Sequence, residues 1–62
     1  MISLDNLKGF SEDAAFRIIR GYGHVPRTTK VDYTVQKVDA TQNPNRVNVE
    51  LENGKVVKAY FG

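Results

Sequence analysis

The chain has 62 residues, nine Lys and Arg against seven Asp and Glu, a net charge of +2 and no cysteine. That length is one domain near the lower limit at which burial alone holds a fold, with room for one helix and a small sheet. The lack of thiols excludes a disulfide framework, thiolate metal ligation and thiol catalysis, and a single histidine, His24, excludes a multi-histidine metal cluster.

Met1 to Phe10 carries Ile2, Leu4 and Leu7 among polar residues and reads as an irregular arm whose apolar side chains tuck under the first helix. Ser11 is a good helix N-cap, and Glu12 with Asp13 place negative charge in the first turn, where the unpaired N–H groups favour it. Ala15, Ile18, Ile19 and Tyr22 then fall at i, i+3, i+4 and i+7, one apolar stripe with Ala14 and Phe16 on its margin. Gly21 and Gly23 suit the helix C-terminus, and Pro26 marks that the helix has ended.

Thr28 to Val38 reads as a first strand, with Val31, Tyr33 and Val35 on one face and Asp32, Thr34 and Gln36 on the other. Arg46 to Glu52 is a second, with Val47, Val49 and Leu51 inward and Arg46, Asn48 and Glu50 outward. Asn53-Gly54 is a hairpin turn leading to a third, Lys55 to Phe61. A two-residue turn would pair Glu52 with Lys55 and put Val56 and Tyr60 on the Leu51 face. A three-residue turn with a bulge at Gly54 would put Val57, Ala59 and Phe61 there and is preferred, because it buries no lysine. The expected fold is therefore α+β: a single helix on a small mixed sheet of about three strands, with an extended exposed loop between the first two.

That loop, about residues 37–45, is polar and has no Asn-Gly or double glycine at its tip. Pro44 fixes its own φ and pushes Asn43 toward extended backbone, so the loop is stiffened without being helical or sheet-paired. Its length of roughly nine residues is long for an antiparallel hairpin and short for an ordinary parallel crossover.

No set of side chains assembles an active site or a cofactor site, and the expectation is a protein that is not an enzyme. Gly21-Tyr22-Gly23 closes a helix, whereas a dinucleotide-binding turn opens one. His24 has no second catalytic group fixed near it. The apolar runs are far too short for a membrane span, and the N-terminus lacks the charged-then-apolar plan of a signal peptide, which fits an intracellular chain or a processed secreted form. Arg17, Arg20, Arg27 and Lys30 form a band without acidic residues between Ala14 and Val31, the one feature that would suit a nucleic-acid partner. Basic residues on a solvated helix face explain the same band.

The order of elements resembles the potato inhibitor I family of serine protease inhibitors, including its short cysteine-free members such as eglin, and the likeness runs from Leu7 to Gly62. Leu7-Lys8-Gly9-Phe10-Ser11 is similar to the family's Leu-Val-Gly-Lys-Ser approach to its helix. Asn45-Arg46-Val47-Asn48-Val49 resembles the Asp-Arg-Val-Arg-Leu and Asn-Arg-Leu-Asn-Val segments that follow the loop in the family and its microbial relatives. The resemblance implies a parallel pair of strands bridged by a loop that lies in a protease cleft as an extended substrate, braced by arginines of the following strand. Matching Arg46 to the first bracing arginine puts the scissile bond between Ala40 and Thr41, with Val38 and Asp39 on its acyl side and Gln42, Asn43 and Pro44 beyond it. Ala40 being small, the implied partner is a subtilisin-like or elastase-like protease, met by a monomer.

Two positions depart from the family pattern. Asp39 stands where threonine is usual, and Asn48 stands where a second bracing arginine is usual. An Asp39 to Arg46 bond and a hydrogen bond from Asn48 to the loop would compensate. A one-residue shift of the loop would place Asp39 or Thr41 in the specificity pocket instead. Two other functions fit the sequence: a small nucleic-acid-binding module using the basic band, and a protein-interaction module on the same scaffold that inhibits nothing.

Overall fold

The computed structural model describes residues 2–62; Met1, the first residue of the expected arm, lies outside them. The arm contains one 3₁₀ turn, Leu4–Leu7. Helix α1 spans Glu12–Gly21. Strands β1 (Val25–Val31), β2 (Thr34–Val35), β3 (Arg46–Glu52) and β4 (Lys55–Phe61) form one sheet in the order β2-β1-β3-β4. β1 runs parallel to β3, and the two outer pairs are antiparallel.

The helix begins as its sequence dictates, with Ser11 Oγ accepting the Ala14 N–H at 3.2 Å. It ends where Gly23, at φ 82°, takes the left-handed conformation and His24 N–H reaches back to Ile19 O at 3.1 Å. Ala15 and Ile19 are fully buried and meet Val47, Val49, Leu51 and Val56 from the sheet and Ile2 and Leu7 from the arm. Tyr22, at the end of the expected apolar stripe, is the helix C-cap and is 54% exposed.

The sheet corrects three expectations. The first predicted strand, Thr28 to Val38, is a hairpin rather than one strand: the chain reverses at Asp32-Tyr33, and Val31 and Lys30 pair with Thr34 and Val35. Val31, Tyr33 and Val35 accordingly lie exposed instead of forming a core face. Asp32 adopts φ 55°, a conformation that Asp tolerates, and its carboxylate accepts the Asn53 N–H at 2.9 Å while its own N–H donates to Leu51 O at 2.7 Å. The sheet therefore has four strands, and the long loop lies between the second and third.

β1 also begins earlier than expected, at Val25, and takes in Pro26. At that end β1 has a partner on the β3 side only, so the missing N–H faces an open edge.

The β3–β4 register overturns the preferred three-residue turn and the inward place expected of Val57, which is exposed, while keeping Ala59 and Phe61 opposite Val49 and Val47. Asn53 and Gly54, at φ 52° and 76°, make a two-residue turn with Glu52 opposite Lys55 and bury Val56 beside Leu51. A bulge then skips Val57, so that Lys58 faces Glu50, and Ala59 and Phe61 pair with Val49 and Val47. The bulge is what keeps lysine off the inner face.

Candidate functional site

Gln36 to Asn43 belongs to no helix or strand, and Lys37 to Gln42 are exposed throughout. The loop is held at both ends. At its start Gln36 N–H donates to Thr29 O at 2.9 Å. At its end Asn43 caps a turn through Pro44, accepting Asn45 N–H on its side chain at 2.9 Å and Arg46 N–H on its carbonyl at 3.0 Å. Asn45 fastens that turn to the helix C-terminus: its side-chain amide donates to Gly23 O at 3.0 Å, and its backbone carbonyl accepts Val25 N–H at 3.0 Å. His24 Nδ1 faces two oxygens of Asn45, at 2.9 and 3.2 Å, so it carries the hydrogen and donates.

Between its ends the loop is braced from the sheet. Arg46, the first residue of β3, donates through Nη2 to the Thr41 carbonyl and, at 3.0 Å, to Gly62 O. Gly62 N–H in turn donates to Arg46 O at 3.1 Å, which fixes the backbone from which the arginine projects. A second brace comes from β1. Arg27 Nη1 lies 3.5 Å from the Asp39 carboxylate while its Nε donates to Asn48 Oδ1 at 2.8 Å. Asn48 is 1% exposed, so the hydrogen bond that aims Arg27 is shielded from water, whereas the Asp39 end is open to it.

Asp39 also organises the tip. One of its oxygens accepts both the Thr41 N–H, at 3.2 Å, and the Thr41 hydroxyl. The Thr41 hydroxyl and then the Thr41 amide, with lesser contributions from the Arg46 and Arg27 charges, hold the Asp39 carboxyl below its ordinary value of 3.8; desolvation opposes them with an effect larger than that of either arginine.

The structure thus gathers Val38, Asp39, Ala40, Thr41 and Gln42 in one exposed segment that ends at the half-buried Asn43, with Arg46 beneath it. Two support contacts differ from expectation. Asp39 pairs with Arg27 rather than Arg46, because Arg46 is occupied by the Thr41 and Gly62 carbonyls. Asn48 supports the loop one step removed, by holding Arg27. Arg27 was assigned by sequence only to the basic band; its role depends on the parallel register that sets it beside Asn48, which no local pattern reveals. The one signal was a lone aspartate in a loop flanked by cations.

The basic band is dispersed. Arg17 pairs with Asp13 at 3.1 Å on the exposed side of α1, and Arg20 lies over the Phe16 ring at 5.6 Å. Arg27 and Lys30 project from β1 beside Asn48 and Glu50 on the sheet face away from the helix. Among the described residues no cluster of His, Cys, Asp and Glu is placed to hold a metal ion, and no helix is long and apolar enough to cross a membrane. Comparison of the chain with protein-family models, with curated proteins and with solved structures gives no match.

Proposed function

We propose that this protein inhibits a serine endopeptidase of the subtilisin-like or elastase-like kind by presenting residues 37–45 as an extended substrate. The observation that carries this reading is the pair of arginine braces on either side of Ala40 and Thr41. Arg27 holds Asp39 on the acyl side and Arg46 holds the Thr41 carbonyl on the amine side, while both arginines are themselves anchored in the sheet. A merely connecting loop has no need of such bracing, and an exposed polar segment without it is readily digested.

In this mechanism the loop enters the cleft already extended, so little ordering entropy is lost on binding, and its backbone pairs with the enzyme as an added strand. The Ala40 side chain fills a small primary pocket. Attack on the Ala40 carbonyl leaves both new ends fastened to the same sheet, so religation competes with release. The resemblance to potato inhibitor I proteins supports this reading, and so does the parallel pairing of β1 with β3, between which the chain runs through the β1–β2 hairpin and then the loop.

The test is a set of Ala40 variants assayed against subtilisin and an elastase. Ala40→Leu or Ala40→Phe should shift preference between the two enzymes while the thermal unfolding of the domain stays unchanged. Identical inhibition profiles for all variants would remove Ala40 from the pocket, and profiles that respond only to changes at Asp39 or Thr41 would shift the loop by one residue.

A further inference from the structure

We infer that Asp39 is a positioning residue that retains the amine released when the Ala40–Thr41 bond is cut, so that the acyl half of the loop carries its own binding group for the other half. This rests on the inhibitor reading and adds to it a role for the loop's only acidic side chain.

The Thr41 nitrogen is the leaving atom of that bond. Its N–H already points at Asp39 Oδ1, 3.2 Å away, and the Thr41 hydroxyl donates to the same oxygen. In the acylation step a serine Oγ bonds to the Ala40 carbonyl carbon and the C–N bond breaks. The nitrogen keeps the bonding pair, takes the proton lost by the serine, and at neutral pH takes a further proton from solvent to become an ammonium. The contact with Asp39 then changes from an amide N–H on a carboxylate to an ammonium on a carboxylate, a stronger, charge-assisted bond. Thr41 is held at a second point by Arg46 on its carbonyl, so the freed amine has little room to turn away from the ester.

Two further charges face Asp39 from the elements beneath it: Arg27 from β1 and Arg46 from β3. Both favour the carboxylate form, and both would oppose an ammonium at Thr41 were Asp39 not present. The carboxylate is therefore the group that makes this position tolerable for a new positive charge. Arg27 fixes its location, and the buried Asn48 fixes Arg27.

The test compares the protein with Asp39→Asn, which keeps one acceptor oxygen, removes the charge and replaces the second oxygen by an NH2 group. Each is incubated with subtilisin until the cut form accumulates, and the Thr41 α-amino group of the cut protein is titrated by NMR. The clamp predicts a higher amine pKa in the wild type than in Asp39→Asn. It also predicts that intact Asp39→Asn is hydrolysed faster by about fivefold, the upper range for an exposed ion pair. An unchanged amide spectrum elsewhere in the variant confirms that its fold is intact. Equal amine titration in the two cut proteins, with inhibition retained, overturns the clamp and leaves the inhibitor reading standing. Absence of inhibition together with absence of cutting at Ala40–Thr41 overturns both, and inhibition during which this bond is never cut overturns the clamp alone.

Discussion

The two faces of β3 are held by different forces. Toward α1 it presents Val47, Val49 and Leu51, all buried and packed with Ile19 and Val56, a contact that needs no particular partner atom and tolerates any well-shaped apolar filling. On the other side Arg46 and Asn48 engage specific atoms: Thr41 O, Gly62 O and Arg27 Nε. The first face sets whether the chain folds. The second sets the shape of one loop, and a change there can spare the fold while abolishing what the loop does.

The sharpest way to break that division is to cut into the apolar face. Ile19→Ala removes a fully buried side chain and should cost about 2–5 kcal/mol, lowering the midpoint of a domain this small by roughly ten degrees or more in thermal unfolding. Inhibition should fall only to the extent that the protein unfolds. A loss of inhibition without a loss of stability would show that the two faces are not separable.

Arg46→Ala makes the converse test. Stability should fall by about 1.5–3 kcal/mol, the worth of a hydrogen bond to a charged donor, while inhibition should weaken at least about tenfold, because a released loop must be ordered on binding. Unaltered inhibition constants would remove Arg46 from the brace.

Asn48 lies on the boundary, being as buried as the core yet polar in its work. Asn48→Ala leaves the half-buried Arg27 without its acceptor, so we expect a loss of about 1–3 kcal/mol in denaturant unfolding together with faster cutting of the loop. Loss of only one of the two would assign Asn48 wholly to one face.

The pH response follows from Asp39. Its carboxyl is held below the ordinary value of 3.8 by Thr41 and the two arginines, so its contribution to loop order is fully present above that value and is lost as pH falls through the lowered one. The pH-dependent movement of the Thr41 amide resonance should therefore have its midpoint below 3.8. A midpoint near pH 5 would contradict the contacts at the loop tip.

The smallest effect belongs to Arg17. Its i,i+4 pair with Asp13 is exposed on both sides, and Arg17→Ala should alter stability by no more than about 0.5 kcal/mol and inhibition not at all. A large effect on any nucleic-acid binding would revive the basic band.

How much of this was legible in sequence follows the same division. α1, β3 and the Asn53-Gly54 turn were readable, because helical spacing, strict alternation and a left-handed dipeptide each act within a few residues. The hairpin at Asp32 was not. Its alternating residues suit one long strand equally well, and the contact that settles the turn is with Asn53 N–H, far along the chain. The bulge at Val57 escaped for a related reason: the pattern was read as one register along the whole strand, which favoured the three-residue turn to avoid burying a lysine, whereas packing against both Leu51 and Val49 is met by a two-residue turn and a change midway. The loop was visible as a stiff polar connection, and Arg46 as its neighbour. Arg27 was hidden, since nothing local says that it will lie beside Asn48.

The most direct measurement is incubation of the pure protein with subtilisin and with an elastase, following residual protease activity and the mass of the protein over hours. The braced loop predicts lasting inhibition of at least one enzyme, with no cut or a single cut between Ala40 and Thr41. Rapid digestion at several loop positions with full protease activity would contradict it.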